Sequence, residues 1–375
     1  MRVFHCADIH LDSPFTLFSP KEAESRRIEL RSAFTSAIMA AKEYKADIFI
    51  ISGDLFDGEY VTKDTKELLI SEFSKFPECR FFITPGNHDS ISGNSFYKTA
   101  VLPENVHVFG EKRERIPLDS LNADIYGFGY GQREYRDSPV AGWKIADKSR
   151  INILVCHGDM TSQNSDIGPI TKEEIADSGF DYIALGHIHK PSGLQNENGV
   201  YYCYPGCIEG RGFDELGYKG AMIGTVEKGS VNLKPIRLSK RRYEWINVDL
   251  DGCAEKMSAL EIIRKEIKQY SDDTALRITL TGEVRQAFSI REKEIGTGPS
   301  FPYHIEIQDR TTLVPDIGQL EKENTLKGVF YRRMTQAIEE TDKNSEQYEI
   351  YSRALKLGLA ALDDRNITGI SGGDI

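Results

Sequence analysis

Five short apolar runs recur along the first half of the chain, and each ends on a side chain with an oxygen or nitrogen lone pair. Residues 3–7 lead into Asp8-Ile9-His10, residues 47–52 into Gly53-Asp54-Leu55-Phe56-Asp57, and residues 80–84 into Gly86-Asn87-His88-Asp89. Residues 151–156 lead into His157-Gly158-Asp159, and residues 182–185 into Gly186-His187-Ile188-His189. Apolar runs this short, bounded by turns, fit strands buried on both faces. Open α/β sheets bind ligands in the crevice beyond the carboxyl ends of such strands. Five ends meeting on one rim gather Asp8, His10, Asp54, Asn87, His157, His187 and His189, enough for two metal ions if one carboxylate is shared. Asp54 is the natural bridge, because an ionised carboxylate has two oxygens with lone pairs in opposed directions.

The segments between the runs supply helices. Ser19-Pro20 has the pattern of a helix start, with Ser as the cap and Pro at the first helical position. Ile28, Leu30, Phe34, Ile38 and Met39 then recur at near-helical spacing, which predicts a helix to about residue 44. Residues 62–76 repeat the pattern, with Leu68, Leu69 and Phe73 inward. The first ninety residues therefore read strand, helix, strand, helix, strand, as a parallel α/β layer does. Residues 106–109 and 123–130 add short strands, 132–148 reads as an exposed loop, and 171–178 as a short helix. Residues 200–204, 220–227 and 230–236 are strand-like, the last two joined as a hairpin by Lys228-Gly229. These three strands are assigned to a second sheet, giving a sandwich with helices outside.

A chain of 375 residues exceeds what one core usually serves. No apolar run approaches the roughly 20 residues of a membrane helix, and Asp8 interrupts the position where a signal peptide carries its apolar region. A cytoplasmic location without a membrane partner is expected. The six cysteines show no Cys-X-X-Cys spacing; Cys6 and Cys156 fall inside apolar runs and read as small buried hydrophobes. The formal charge of -11 opposes a broadly basic surface, and non-specific affinity for DNA comes mostly from Lys and Arg. A local basic track stays open, and bound divalent ions would offset the charge of their own ligands.

The ordered set Asp-X-His, Gly-Asp-X-X-Asp, Gly-Asn-His-Asp, His-Gly-Asp and Gly-His-X-His resembles the calcineurin-like metallophosphoesterase superfamily over residues 1 to about 240. Ala7-Asp8-Ile9-His10-Leu11-Asp12-Ser13-Pro14-Phe15, Gly186-His187-Ile188-His189-Lys190-Pro191 and Tyr204-Pro205-Gly206 most resemble the SbcD-type DNA repair exonucleases, in particular their YhaO-like branch. The resemblance implies a four-layer α-β-β-α metallophosphoesterase (nuclease) domain over 1–240, a small α+β capping domain over 241–310, and a C-terminal helical region over 311–375 that docks an SbcC-like ATPase. It implies a metal-dependent DNA exonuclease or endonuclease of DNA repair, with DNA as substrate and a homodimer left open.

The same resemblance implies that one ion is held by Asp8, His10, Asp54 and His189, and the other by Asp54, Asn87, His157 and His187. The mix of carboxylate, amide oxygen and imidazole favours Mn2+, and Fe or Zn can bind the same groups. By resemblance His88 stabilises or protonates the leaving oxygen; Asp89, next in sequence, is expected to hold its ring as carboxylates do for other histidines, and Asp57 either acts just outside the ligands or caps the turn. Asp12 and Ser13 follow His10 directly, and orienting His10, facing substrate and stabilising a turn are all open to them. Substrate contact is open to Tyr130, Arg211 and Phe213, with ordinary aromatic packing the preferred reading of Tyr130, and Cys207 departs from the small polar residue usual after Tyr-Pro-Gly in the family.

Beyond the basic joint Ser239-Lys240-Arg241-Arg242, which suits phosphate contact or a solvated linker, residues 243–250, 275–281 and 303–307 read as strands and 254–270 as a helix. Residues 329–340 and 346–362 read as a helix pair, and Ser371-Gly372-Gly373 as a loose terminus. Two rivals to a DNA nuclease are a phosphodiesterase or phosphatase acting on a small nucleotide or phosphoprotein, and a non-catalytic scaffold. A scaffold loses ligands, and here all seven are present.

Overall fold

The computed structural model of the chain describes residues 1–93, 95–285, 288–313, 317–343 and 345–362. It divides into two units, Met1–Tyr243 and Glu244–Ile375. The first begins β1 (Arg2–Cys6), α1 (Pro20–Tyr44), β2 (Ile48–Ser52), α2 (Lys63–Ser74), β3 (Arg80–Thr84), α3 (Phe96–Thr99) and β4 (Val106–Val108). It continues with β5 (Glu114–Leu118), β6 (Ala123–Gly127), β7 (Ile151–His157), α4 (Lys172–Asp177), β8 (Tyr182–Gly186), β9 (Gln195–Glu197), β10 (Val200–Cys203), β11 (Gly220–Glu227) and β12 (Ser230–Arg237).

Two six-stranded sheets result, ordered β12-β11-β1-β2-β3-β4 and β5-β6-β7-β8-β10-β9. The side-chain alternation of each strand explains why its whole run is apolar. Val3, Ile48, Ile50 and Phe82 turn between the sheets and meet Ile125, Ile153, Val155 and Ala184. Phe4, Phe49, Ile51 and Phe81 turn the other way, onto Leu30 and Phe34 of α1 and Leu69 and Phe73 of α2. On the far side Leu154, Cys156, Ile183 and Leu185 pack with Ile175 of α4 and Phe180. The layers are helix, sheet, sheet, helix, the fold class expected from the sequence. Each such buried side chain contributes about 1.5–3 kcal/mol.

α1 starts where its cap is written. Ser19 Oγ accepts from the backbone of Glu22, whose carboxylate in turn accepts from Ser19 N, so two otherwise orphaned donors are satisfied at once.

One assignment is corrected. β11 and β12 belong to the first sheet, with β11 antiparallel to β1 in the register Arg2↔Thr225 and His5↔Met222. Only β10 joins the second sheet, parallel to β8. Parallel β2 covers one edge of β1, and the hairpin covers the other. β11 is buried along most of its length and takes the inner place, whereas β12 alternates and carries Pro235, as an edge strand tolerates. β5 escaped the sequence reading because Pro117 and its charged residues mask a strand; it is one of the two edges of the second sheet.

The second unit comprises β13 (Arg242–Asp249), α5 (Lys256–Glu266), β14 (Thr274–Thr281), β15 (Glu283–Val284), α6 (Glu292–Ile295), β16 (His304–Asp309), β17 (Thr312–Leu313), α7 (Ile317–Leu320), α8 (Leu326–Glu339) and α9 (Glu346–Leu362). A sheet ordered β13-β14-β16 packs Val248, Leu276, Ile278 and Ile305 against Leu260 and Ile263 of α5. α8 and α9 form the expected helix pair, with Gly358 at the point where a Cβ would strike the Phe330 ring. Ser371-Gly372-Gly373 lies outside the described residues. Among the described residues no helix is long and apolar enough to cross a membrane.

Candidate metal centre

The ends of β1, β2, β3, β7 and β8 deliver the seven lone-pair residues, and the backbone there is bent to do so. Asp8, His10 and Asp54 each have φ of 50°, and His187 has φ of 108°. Non-glycine residues rarely take such angles, and they concentrate at functional sites. The first two loops hold each other: Asp8 N donates to Gly53 O at 3.1 Å, and His10 N to Asp54 O at 3.0 Å. Gly53, at φ 91°, sits where a Cβ would overlap the His157 ring. A Cβ at Gly86 would overlap Asp54 Oδ1. Close approach of Asp54 and His157 therefore requires glycine at both turns.

Asp54 Oδ2 lies 3.4 Å from His157 Nε2 and 3.8 Å from His10 Nε2. Its Oδ1 accepts from His88 N at 2.9 Å. One oxygen thus faces both imidazoles, rather than the two oxygens facing one each. His10 Nε2 and His189 Nε2 are 3.2 Å apart, and His157 Nε2 is 2.8 Å from Asn87 Oδ1. Asp8 accepts from His187 N at 2.9 Å. Ligand atoms of Asp8, His10 and His189 lie within 4.8 Å of one another, as do those of Asp8, Asp54 and His157 and those of His10, Asp57 and His88. The His187 ring packs edge-on against His157 at 5.2 Å, with Nε2 3.9 Å from Asp159.

Proton accounting shows what the cluster fits. His157 Nδ1 faces the Ser52 carbonyl at 3.0 Å and must carry a hydrogen, so the neutral ring turns its Nε2 lone pair toward two oxygen acceptors. His10 Nδ1 faces Asp57 Oδ1 at 2.8 Å, and His189 Nδ1 faces Glu215 Oε1 at 2.7 Å. Their Nε2 lone pairs then face each other. Lone pairs this close repel unless a cation, proton or metal ion, lies among them. Two ligands of one ion at the usual 2.0–2.2 Å stand roughly 3.0–3.4 Å apart at ordinary angles, so the spacing fits a metal site.

The titrations show the same demand for positive charge among these atoms, with a proton on His157 in the place a metal ion would take. Burial alone would lower His157, but the Asp54 carboxylate more than offsets it and the imidazole is raised to about 9. Burial likewise opposes ionisation of Asp54, yet His157 and His10 hold its carboxyl well below the ordinary range. Burial pushes His10 and His187 down to about 4, which keeps their rings neutral, as ligands must be.

The surrounding residues are placed less as the sequence suggested. Asp89 does not hold His88: its carboxylate accepts from Leu55 N at 2.8 Å, Gly86 N at 2.7 Å and the Tyr97 hydroxyl at 2.6 Å, fastening the β2 and β3 loops together. The carboxylate near His88 is Asp57, 3.9 Å from its Nδ1. Asp12 accepts from Thr62 N at 2.8 Å and Thr65 Oγ1 at 2.7 Å, tying the start of α2. The buried Tyr130 hydroxyl donates to His157 O at 2.5 Å, and Phe213 is buried edge-on against Tyr243. Glu215, unforeseen in the sequence, holds His189; its only signal was an acidic side chain in a glycine-rich loop.

Fold and centre together define a metal-dependent phosphoesterase class. A family model described as Calcineurin-like phosphoesterase matches residues 1–191, and the chain belongs to that family. The uncharacterized metallophosphoesterase YhaO of Bacillus subtilis (strain 168) is 31% identical over 295 residues, 74% of this chain and 71% of that protein. The DNA double-strand break repair protein Mre11 of Methanopyrus kandleri is 23% identical over 232 residues, 58% of this chain and 50% of that protein. The crystal structure of TT1561 of Thermus thermophilus aligns with 63% of this chain and 99% of that one, at 11% identity and a TM-score of 0.38.

Proposed function

We propose that the chain is a divalent-metal-dependent phosphodiesterase of the SbcD type that cleaves DNA in repair, in the cytoplasm, with an SbcC-like ATPase. The observation that carries this reading is the buried meeting of imidazole lone pairs and carboxylate oxygens from Asp8, His10, Asp54, His157 and His189. Asp8, His10, Asp54 and His189 would hold one ion, and Asp54, Asn87, His157 and His187 the other. When bound, such a pair of ions activates water and neutralises charge on the phosphoryl oxygens. Asp54 Oδ2 faces both sides of the cluster, and Asp89 fixes the loops that carry Asp54 and Asn87. His88 is partly exposed and packs edge-on against His10 at 4.8 Å, which suits donation of a proton to the leaving oxygen. Manganese is the proposed metal.

DNA as substrate is supported by the name of the Methanopyrus relative. Residues 241–310 are proposed to cap the site and 311–375 to dock the ATPase; Leu326 and Val329 of α8 and Ile350 and Leu357 of α9 are exposed apolar side chains suited to docking. Purified protein is expected to shorten end-labelled duplex or single-stranded DNA with manganese and not with chelator. Hydrolysis of bis-p-nitrophenyl phosphate with intact DNA would favour the small-phosphodiester reading. Deleting residues after about 328 is expected to abolish co-purification with the ATPase while sparing bis-p-nitrophenyl phosphate hydrolysis; retained co-purification refutes the docking role.

A further inference from the structure

We infer that Arg211 is a positioning residue of the metal centre, tying together the two carboxylates that hold His10 and His189 and so setting both imidazoles for a cation. The inference rests on the metal-centre reading above and adds a residue that no ligand motif contains.

The side chains involved come from distant parts of the chain. Asp57 follows β2 and holds Nδ1 of His10, which follows β1, at 2.8 Å. Glu215, in the loop before β11, holds Nδ1 of His189, which follows β8, at 2.7 Å. Arg211 reaches both acids: Nη1 donates to Asp57 Oδ1 at 2.9 Å, and Nη2 to Glu215 Oε1 at 2.9 Å. Its Nε lies 3.3 Å from Glu215 Oε1, and its backbone N donates to Glu215 Oε2 at 2.7 Å. The oxygens that grip the imidazoles are the same ones that grip the guanidinium. Each carboxylate is therefore held on two sides: turning the His189 ring breaks its hydrogen bond to Glu215, and turning the His10 ring breaks its 2.8 Å contact with Asp57.

The consequence appears on the other face of both rings, where the Nε2 atoms stand 3.2 Å apart. Carboxylates that orient histidine ligands fix which nitrogen is free for metal, and losing one typically weakens binding 10–100-fold. Here one residue governs two such pairs. A planar guanidinium spans both acids, whereas the single ammonium of lysine is a compact point charge without that fork. Glu215 is buried and Asp57 largely so. Without Arg211 two closely placed anions lose their common cation, and the rings lose a fixed orientation. The Nε, Nη1 and Nη2 atoms all have protein partners, which sets Arg211 apart from a residue reaching for substrate.

The test is calorimetric titration of metal-stripped protein with manganese. Arg211→Met is expected to weaken the tighter-affected site about 10–100-fold, and Arg211→Lys to leave most of that loss unrestored. Glu215→Gln is expected to weaken it in the same range, and the double variant to lose less than the product of the two single losses. Wild-type affinity in Arg211→Met overturns the inference, also where its DNA cleavage is lost, which would make Arg211 a substrate contact. If Arg211→Met does not fold, wild-type affinity in Arg211→Lys overturns it equally. Wild-type protein that takes up no manganese would overturn the metal-centre reading itself, a separate result from tight binding that is indifferent to Arg211.

Discussion

Asp54→Asn is expected to lose both ions and, with them, phosphodiesterase activity. The substitution keeps shape and hydrogen-bonding atoms but removes the charge that faces His157 at 3.4 Å and His10 at 3.8 Å. An amide in that place presents a neutral oxygen or an NH2 donor, neither of which offsets a divalent ion. Loss of an outer carboxylate costs 10–100-fold in metal affinity, so loss of the carboxylate shared by both ions is expected to cost more than roughly 100-fold. Metal analysis after gel filtration checks this, together with hydrolysis of bis-p-nitrophenyl phosphate. A variant that keeps its ions and its turnover would remove Asp54 from the centre.

His88→Ala is expected to behave in the opposite way, keeping its metal while activity falls about 10²–10⁴-fold, the range of a lost general acid. The His88 backbone N–H still donates to Asp54 Oδ1 in the alanine variant, so the loop keeps its anchor. Its side chain meets Asp57 only at 3.9 Å and is partly exposed, so little stability is at stake. The loss should be smaller on substrates whose leaving group needs no proton, such as p-nitrophenolate esters, than on DNA. An unchanged rate on DNA would overturn the role given to this residue.

The place of Asp54 was legible in the sequence for a physical reason, whereas the role proposed for His88 came from the resemblance. A candidate ligand at the end of a buried strand is written locally, as an apolar run, a turn and a polar side chain, and Asp8, Asp54, Asn87 and His157 all follow that form. Residues that hold the ligands are written nowhere in particular. Glu215 meets His189 across twenty-five intervening residues, and Tyr130 reaches the backbone of His157 by a hydroxyl whose direction no local pattern sets. Asp89 illustrates the limit most sharply. Its place beside His88 suggested a pair, but consecutive residues in a tight turn point apart, and the backbone donors of Leu55 and Gly86 claim its carboxylate first. The same limit applies to the sheets. Alternation and burial mark β11 and β12 as strands, yet which open edge they cover depends on β1 having one side uncovered, a fact about the assembled layer.

The central claim is that five loop ends build one dinuclear cation site, and metal stoichiometry tests it most directly. Protein stripped with chelator, reloaded with manganese and desalted is expected to retain two ions per chain, and to retain neither when Asp54 is replaced by Asn. A wild-type chain that retains no manganese, or an Asp54→Asn chain that retains two, would contradict it.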